Sequence, residues 1–408
     1  MRALLHLAGN IAPLIAGLVT APLTARALGP EARGELAIVM LTSIFVGLVG
    51  AFGLGLLARQ AVADDIGQAH GWSRRGRQIM LYSVAAAVVI GIGLGQVLNL
   101  DLAERAATAA FLALAGMSAS KSIDANILIV AGLTKHFGIA NLAASGTVCV
   151  GIVLSYMAGH LQLWLVLAFN AGSLLVQMAL IVLPRRRLLK GIDEGAFKAE
   201  KLRSLLHRAW RAWRSQIVEA SLLRVDSMMF VTLSTVQVVG YYSVVALIPQ
   251  TAYQTFQTII QYSYATTPKT KLRQRTWLTW QICLLVSVPI VLVGGLGARI
   301  LIPMLFGPAF SPSLELLVPA CSVTVGLAAL APVLQHFAVS PTGDGWFPLT
   351  MIALIAMCWL LGRQTNPALA VTVMGGAFVF VGSLYVYWLG GRSIFRVSLN
   401  SWAVLYGR

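Results

Sequence analysis

Acidic residues are scarce in this chain: 14 Asp and Glu stand against 30 Lys and Arg, and charged residues of both signs make up 11% of the sequence. A soluble globular domain carries about a quarter, so a water-facing surface over the whole molecule is excluded. Cysteine is scarce too. Cys149, Cys283, Cys321 and Cys358 each lie inside an apolar stretch and form no C-x-x-C pair, which supports neither a disulfide framework nor a zinc site. They read as small buried hydrophobes. No P-loop, H-E-x-x-H or G-x-S-x-G is present. That excludes an ATP motor within the chain and leaves metalloprotease and serine-hydrolase chemistry without a motif. No metal and no cofactor is expected.

What fills the chain is hydrophobicity: 58% of residues are hydrophobic and the mean hydropathy is +0.80. The apolar residues fall into twelve stretches, at 8–27, 36–57, 79–99, 106–132, 138–158, 161–183, 215–238, 241–264, 277–305, 314–340, 346–362 and 367–390. Each is near the length of about twenty residues that a helix needs to cross a bilayer. Met1-Arg2 before the first stretch resembles a secretory signal, but the apolar run is too long for one and reads as the first span.

The basic residues occupy every second gap. Arg59, Arg74, Arg75 and Arg77 lie between spans two and three. Arg185, Arg186, Arg187, Lys190, Lys198, Lys201, Arg203, Arg208, Arg211 and Arg214 lie between six and seven. Lys269, Lys271, Arg273 and Arg275 follow span eight, and Arg392, Arg396 and Arg408 lie in the tail. The alternate gaps hold only Arg33, Arg105 and Arg363, and are too short for a folded external domain. Basic loops stay in the cytoplasm, so the pattern predicts a plasma-membrane protein with both termini inside. Abundant Ala, and Arg in excess of Lys, point to a GC-rich bacterial genome. The net charge of +16 therefore faces anionic membrane lipids rather than nucleic acid.

The expected fold is all-α and polytopic: about twelve transmembrane helices in two six-helix halves, parallel repeats around a central cavity. The N-terminal half is 1–183, a basic cytoplasmic linker is 184–214, and the C-terminal half with a short tail is 215–408. Leu28-Gly29-Pro30 through Leu36 leaves span one as Thr235 through Ser243 leaves span seven; both are tight turns with a glycine just before the next helix. Within the linker, residues 199–214 form a basic amphipathic pattern. Leu202, Leu205, Leu206, Ala209, Trp210 and Trp213 fall on one side, and Lys201, Arg208 and Arg211 on the other. Such a helix lies in the membrane interface, as a passive tether or a regulatory element.

A charged side chain near the centre of a span costs roughly 2.5–3.5 kcal/mol, so such residues mark candidate sites. Lys121 and Asp124 in span four are three apart, share a helix face and are placed to neutralise each other; a functional role stands beside that reading. Glu219, Arg224 and Asp226 lie in span seven. Arg224 and Asp226 are two apart, do not face each other on a regular helix, and point to a water-filled cavity. Arg26 sits at the external end of span one. Gln250, Gln254, Gln257 and Gln261 form one stripe on span eight, fit either to bond neighbouring helices or to line a cavity where amides meet sugar hydroxyls. Prolines at 13, 22, 249 and 289 and glycines at 47, 50, 53, 91 and 95 interrupt the spans, allowing bends and close packing. His336 reads as a hydrogen-bonded bystander or a proton site.

Three stretches carry a family resemblance. Thr24-Ala25-Arg26-Ala27-Leu28-Gly29-Pro30-Glu31-Ala32-Arg33-Gly34, Arg224-Val225-Asp226-Ser227 with Gly240-Tyr241-Tyr242-Ser243, and Phe306-Gly307-Pro308-Ala309-Phe310 with Leu316-Leu317 together resemble the polysaccharide-transporter branch of the multidrug/oligosaccharidyl-lipid/polysaccharide (MOP) exporter superfamily. The resemblance implies a flippase, not an enzyme. It would carry a polyprenyl-diphosphate-linked oligosaccharide from the inner to the outer leaflet of the bacterial plasma membrane by alternating access. It implies Arg26, Lys121 and Arg224 for the diphosphate, the glutamine stripe for sugars, and Asp124, Glu219 or Asp226 for ion coupling. Polysaccharide polymerase and glycosyltransferase machinery would be its partners. The alternatives are a cation-coupled drug or small-molecule antiporter of the same superfamily and, less well matched to the short external gaps, an envelope glycan polymerase or ligase.

Overall fold

The computed structural model describes residues 2–192, 202–265, 272–339 and 346–390. Lys198, Lys201, Lys269, Lys271, residues 340–345 and the tail with Arg392, Arg396 and Arg408 lie outside the described residues. The described residues form helices joined by short turns, with no strand among them. Eight of the helical segments are long and apolar enough to cross a bilayer, and shorter apolar helices accompany them.

The helices are α1 (Arg2–Ala51), α2 (Leu54–Asp64), α3 (Ala69–Val97), α4 (Leu102–Gly116), α5 (Ser118–Val130), α6 (Thr134–Met157), α7 (Leu163–Lys190), α8 (Leu202–Leu222), α9 (Val225–Leu233), α10 (Val236–Val245), α11 (Leu247–Ala265), α12 (Leu272–Leu301), α13 (Leu317–Val339), α14 (Trp346–Gln364) and α15 (Pro367–Gly390). A π turn at Ile302–Phe306 and a 3-10 segment at Pro308–Leu316 join α12 to α13.

α1 holds the first span and most of the second. Helical geometry is interrupted inside it only at Gly29, with φ 74° and ψ 178°, a region that a residue with a Cβ rarely enters. Pro30 then opens the second span, its fixed φ suited to a first helical turn. The second span does not stop at residue 57. It breaks at Phe52 and Gly53, both at positive φ, and resumes as α2 to Asp64. Span four is likewise divided, at Met117 between α4 and α5. Asp101 and Glu104 close the start of α4 with a reciprocal capping box.

The predicted linker is largely helical. α7 continues through Pro184 to Lys190, so Arg185, Arg186 and Arg187 are helical residues. α8 runs unbroken from Leu202 into the seventh span. Its Trp213 donates Nε1–H to the Leu48 carbonyl at 2.9 Å and stacks near Phe52, with ring centroids 5.0 Å apart. Ala209 is buried beside Leu54, Leu57, Trp72 and Ile123. The helix is thus packed on protein along one side, while Trp210 is half exposed.

The chain divides into two compact units. The first is Met1–Leu222 with Val236–Gly240 and Leu305–Ala309; the second is Leu223–Thr235, Tyr241–Met304 and Phe310–Arg408. In the first, apolar clusters around Leu112, Val166 and Leu167 and around Ile123 and Ile127 form the core. Two glycines permit a very close approach there. A Cβ on Gly34 would lie 1.9 Å from the Val236 carbonyl oxygen, and one on Gly240 would lie 1.8 Å from that of Pro30. In the second unit α13 and α15 pack through Gly326, Gly375 and Ser322, the small-residue contact expected between membrane helices.

Candidate functional site

In the second unit the seventh span is broken. α8 ends at Leu222, Leu223 and Arg224 turn, and α9 begins at Val225. Asp226 therefore occupies the first turn of α9, where unpaired backbone N–H groups favour a carboxylate. Its residue is 3% exposed. Tyr242 on α10 stacks on Phe230, with ring centroids 4.1 Å apart, and donates its hydroxyl to Asp226 Oδ2. Asp226 Oδ1 makes no hydrogen bond among the described residues. Arg224, half-buried at the N-cap of α9, is electrostatically coupled to Asp226. Arg224 and Asp226 form no ion pair with each other among the described residues, and the turn between α8 and α9 sets Asp226 at a helix start.

In the first unit the expected Lys121–Asp124 pair does not form. Asp124, 1% exposed, accepts a hydrogen bond at 3.0 Å from Ser73 on α3 and faces the guanidinium of Arg185 on α7, Nε to Oδ2 at 3.5 Å. Arg185 Nη1 also donates to Ser73 at 2.7 Å, and Arg77 reaches the same hydroxyl at 3.2 Å. Positions i and i+3 share a helix side, but α7 runs along α5 and offers each charge its own partner, Gln177 to Lys121 and Arg185 to Asp124. Lys121 donates to Gln177 Oε1 on α7 at 3.1 Å. Gln177 Nε2 in turn donates to Asn141 Oδ1 on α6 at 2.6 Å.

The other sequence candidates are dispersed. Arg26 is exposed on α1 of the first unit, three residues before the Gly29 turn, whereas Lys121 lies near the middle of its span. Arg224 belongs to the second unit. Glu219 is half-buried on α8 in the first unit. On α11, Gln250 is half-buried, Gln254 exposed and Gln257 half-buried, its amide donating to the Tyr253 hydroxyl. The Gln261 side chain lies outside the described residues. The well-buried side of α11 is Ala252, Tyr253, Phe256 and Ile260, so the stripe is not the packed face of its helix. His336 shares a 2.9 Å hydrogen bond with Thr276. Arg33, expected in a loop, is a helical residue whose guanidinium bonds Thr24 at 2.9 Å.

Three residues of these networks escaped the sequence reading, Ser73, Asn141 and Gln177, while Arg185 was read only as a linker charge and Tyr242 only as part of a family stretch. Arg185 had a readable signal, since Leu188 and Leu189 three and four residues on continue an apolar helix face beyond Pro184. Neutral polar residues inside a span give no such signal.

No family model and no curated relative matches the sequence. Solved structures do. An inward-facing multidrug resistance MATE family transporter of the MOP superfamily matches 95% of this chain and 99% of its own, with TM-score 0.65 at 13% identity. The chain has the fold of MATE transporters. A MATE in the straight conformation matches at TM-score 0.56 and 15% identity, covering 95% of each chain. A MATE in complex with MaD5 matches at TM-score 0.55 and 15% identity, over 95% of this chain and 96% of that one. The MATE fold has two six-helix halves. The inward-facing neighbour is itself a multidrug resistance transporter of the MOP superfamily, and the polysaccharide branch of the sequence resemblance is not among the neighbours named here.

Proposed function

We propose that this protein is a cation-coupled exporter of small organic molecules, working by alternating access in the bacterial plasma membrane with both termini in the cytoplasm. The observation that carries the reading is Asp226: a carboxylate in a broken span, stabilised by the Tyr242 hydroxyl and the adjoining Ser227, whose Oδ1 has no well-formed hydrogen bond among the described residues. Keeping a carboxylate in a bilayer is costly, and such residues serve as ion or proton sites. Breaks in transporter helices present helix ends and unpaired backbone groups at such sites. An unmet oxygen is free to take a proton or coordinate sodium. The likeness to multidrug MATE transporters supports this reading better than the oligosaccharide one. Drug export from cells expressing the protein tests it: Asp226→Asn, which keeps the Tyr242 acceptor and removes the charge, lowers export to the vector level while membrane expression persists. Undiminished export by Asp226→Asn contradicts it.

A second reading, the flippase for polyprenyl-diphosphate-linked oligosaccharide, is favoured by one feature. The buried acid of the first unit, Asp124, is paired with Arg185, whereas Lys121 has a neutral amide for its hydrogen-bond partner. Leaflet-resolved labelling of lipid-linked oligosaccharides in depleted cells separates the two. Complete glycan-lipid accumulating on the cytoplasmic side supports the flippase; an unchanged pool leaves the antiporter.

A further inference from the structure

We propose that Glu31, Glu35 and Glu104 form a pH-responsive latch in the first unit, which keeps the seam between α1 and the start of α10 closed while Glu35 holds its proton and loosens it when the proton leaves. The seam is bare backbone. A Cβ on Gly34 would lie 1.9 Å from the Val236 oxygen and one on Gly240 1.8 Å from the Pro30 oxygen, and all four residues belong to the first unit. Glu31 directly follows Pro30 and Glu35 directly follows Gly34. Four residues apart, the two carboxylates share one face of α1.

Glu104, in the first turn of α4, is the third group. Its Oε2 accepts the Asp101 N–H at 3.2 Å and its own N–H donates to Asp101 Oδ1 at 2.8 Å, so the capping box fixes its place. The cations of this end of the unit are directed elsewhere. Arg33 donates to the Thr24 hydroxyl at 2.9 Å, and Arg105 donates Nε–H to the Leu100 carbonyl at 2.6 Å. Arg26, before the Gly29 turn, and His160, in the turn after α6, are exposed. The ends of α3, α6 and α7 on this side carry no charged residue, and neither does Val236–Gly240. Half-buried Glu35 thus meets two carboxylates and pairs with no cation among the described residues. It lies in the gap 28–35 between the first two spans, where burial first, then the charges of Glu104 and Glu31, push its carboxyl up to about 7. An arrangement that raises a carboxyl above its ordinary 4.5 binds the proton more tightly than one with that group in water. Its advantage is complete below about pH 4.5 and is lost as pH rises through about 7. Above that, the carboxylate relieves the repulsion by turning to water, and Gly34, its peptide neighbour, leaves the Val236 carbonyl with it. On the orientation of the export reading this face is external, so the latch answers to the pH outside. It does not depend on what Asp226 couples.

Hydrogen–deuterium exchange of the full-length protein in neutral detergent, corrected for the intrinsic effect of pH on exchange, tests the latch. In wild type, protection of peptides covering residues 29–36 falls about tenfold between about pH 5 and about pH 8. Glu35→Gln, which keeps the shape and has no proton to lose, holds the low-pH protection at both. Glu104→Gln removes the fixed charge and moves the midpoint of the fall to lower pH. Wild-type protection that agrees within twofold at the two pH values overturns the proposal, and so does a fall in Glu35→Gln as large as in wild type. A fall of equal size in residues 320–331 of α13, in the second unit, is a general loosening and overturns it too. Should Glu35→Gln not fold, Glu104→Gln decides: a midpoint unchanged from wild type overturns the latch.

Discussion

Asp124 and Arg185 are each buried, at 1% and 5% exposure, and each is the other's compensation. Their value to the fold lies in what happens when one is removed. A lone buried charge costs about 3–5 kcal/mol, so Arg185→Ala lowers the thermal midpoint of the detergent-purified protein sharply. The double variant Asp124→Ala/Arg185→Ala recovers much of that loss, because no orphaned charge remains. A double variant as unstable as Arg185→Ala contradicts the pairing. The cost of burial made Asp124 visible in the sequence as a residue needing a partner, but i,i+3 spacing named the wrong one. Lys121 was near in sequence; Arg185, 61 residues away, was assigned to a loop because basic residues beside Pro184 look like one. Asp226 was legible for the same energetic reason. Its partner Tyr242 was not, since a tyrosine near a span end ordinarily reads as an interface anchor.

Helices in this protein are placed by hydrophobic length and shaped by local backbone events, and only the first of these is written plainly in composition. The Gly29-Pro30 turn was readable because both residues have one dominant backbone use. The breaks at Phe52–Gly53, Met117 and Leu223–Arg224 fall within otherwise continuous spans, so hydropathy passes over them. Two of the three matter locally: Trp213 is seated beside the first, and Asp226 lies just after the third. Trp213→Phe retains the packing on Phe52 but loses the hydrogen bond to the Leu48 carbonyl, a cost of about 0.5–1.5 kcal/mol readable as a modest fall in thermal midpoint. The close approach at Gly240 is less forgiving. Gly240→Ala places a methyl group 1.8 Å from the Pro30 oxygen, so the backbone must separate, and the yield of monodisperse protein falls. Gly376→Ala, on α15 with no atom within 4 Å of its added Cβ, has no such effect. Equal yields from the two variants contradict the packing at Gly34 and Gly240.

For the whole molecule, the spacing of apolar runs and the alternation of basic gaps gave the fold class, because a bilayer leaves helices or closed barrels as the only spanning structures. The MATE likeness then supplies a fold of two six-helix halves. Cargo is written less legibly, since a fold shared at 13% identity hosts different substrates. The charges inside the two units differ in kind: a carboxylate with one open oxygen in the second, and an ammonium without a paired acid in the first. On the export reading proposed above, the open carboxylate is the group that would couple an ion. The most direct measurement is ion-driven movement of labelled cargo in proteoliposomes, with an imposed proton or sodium gradient and the same gradient collapsed by ionophore. The account predicts that wild type moves cargo against its concentration only while the gradient stands, and that Asp226→Asn merely equilibrates it. Uphill movement by Asp226→Asn, or movement by wild type indifferent to both gradients, would contradict the account.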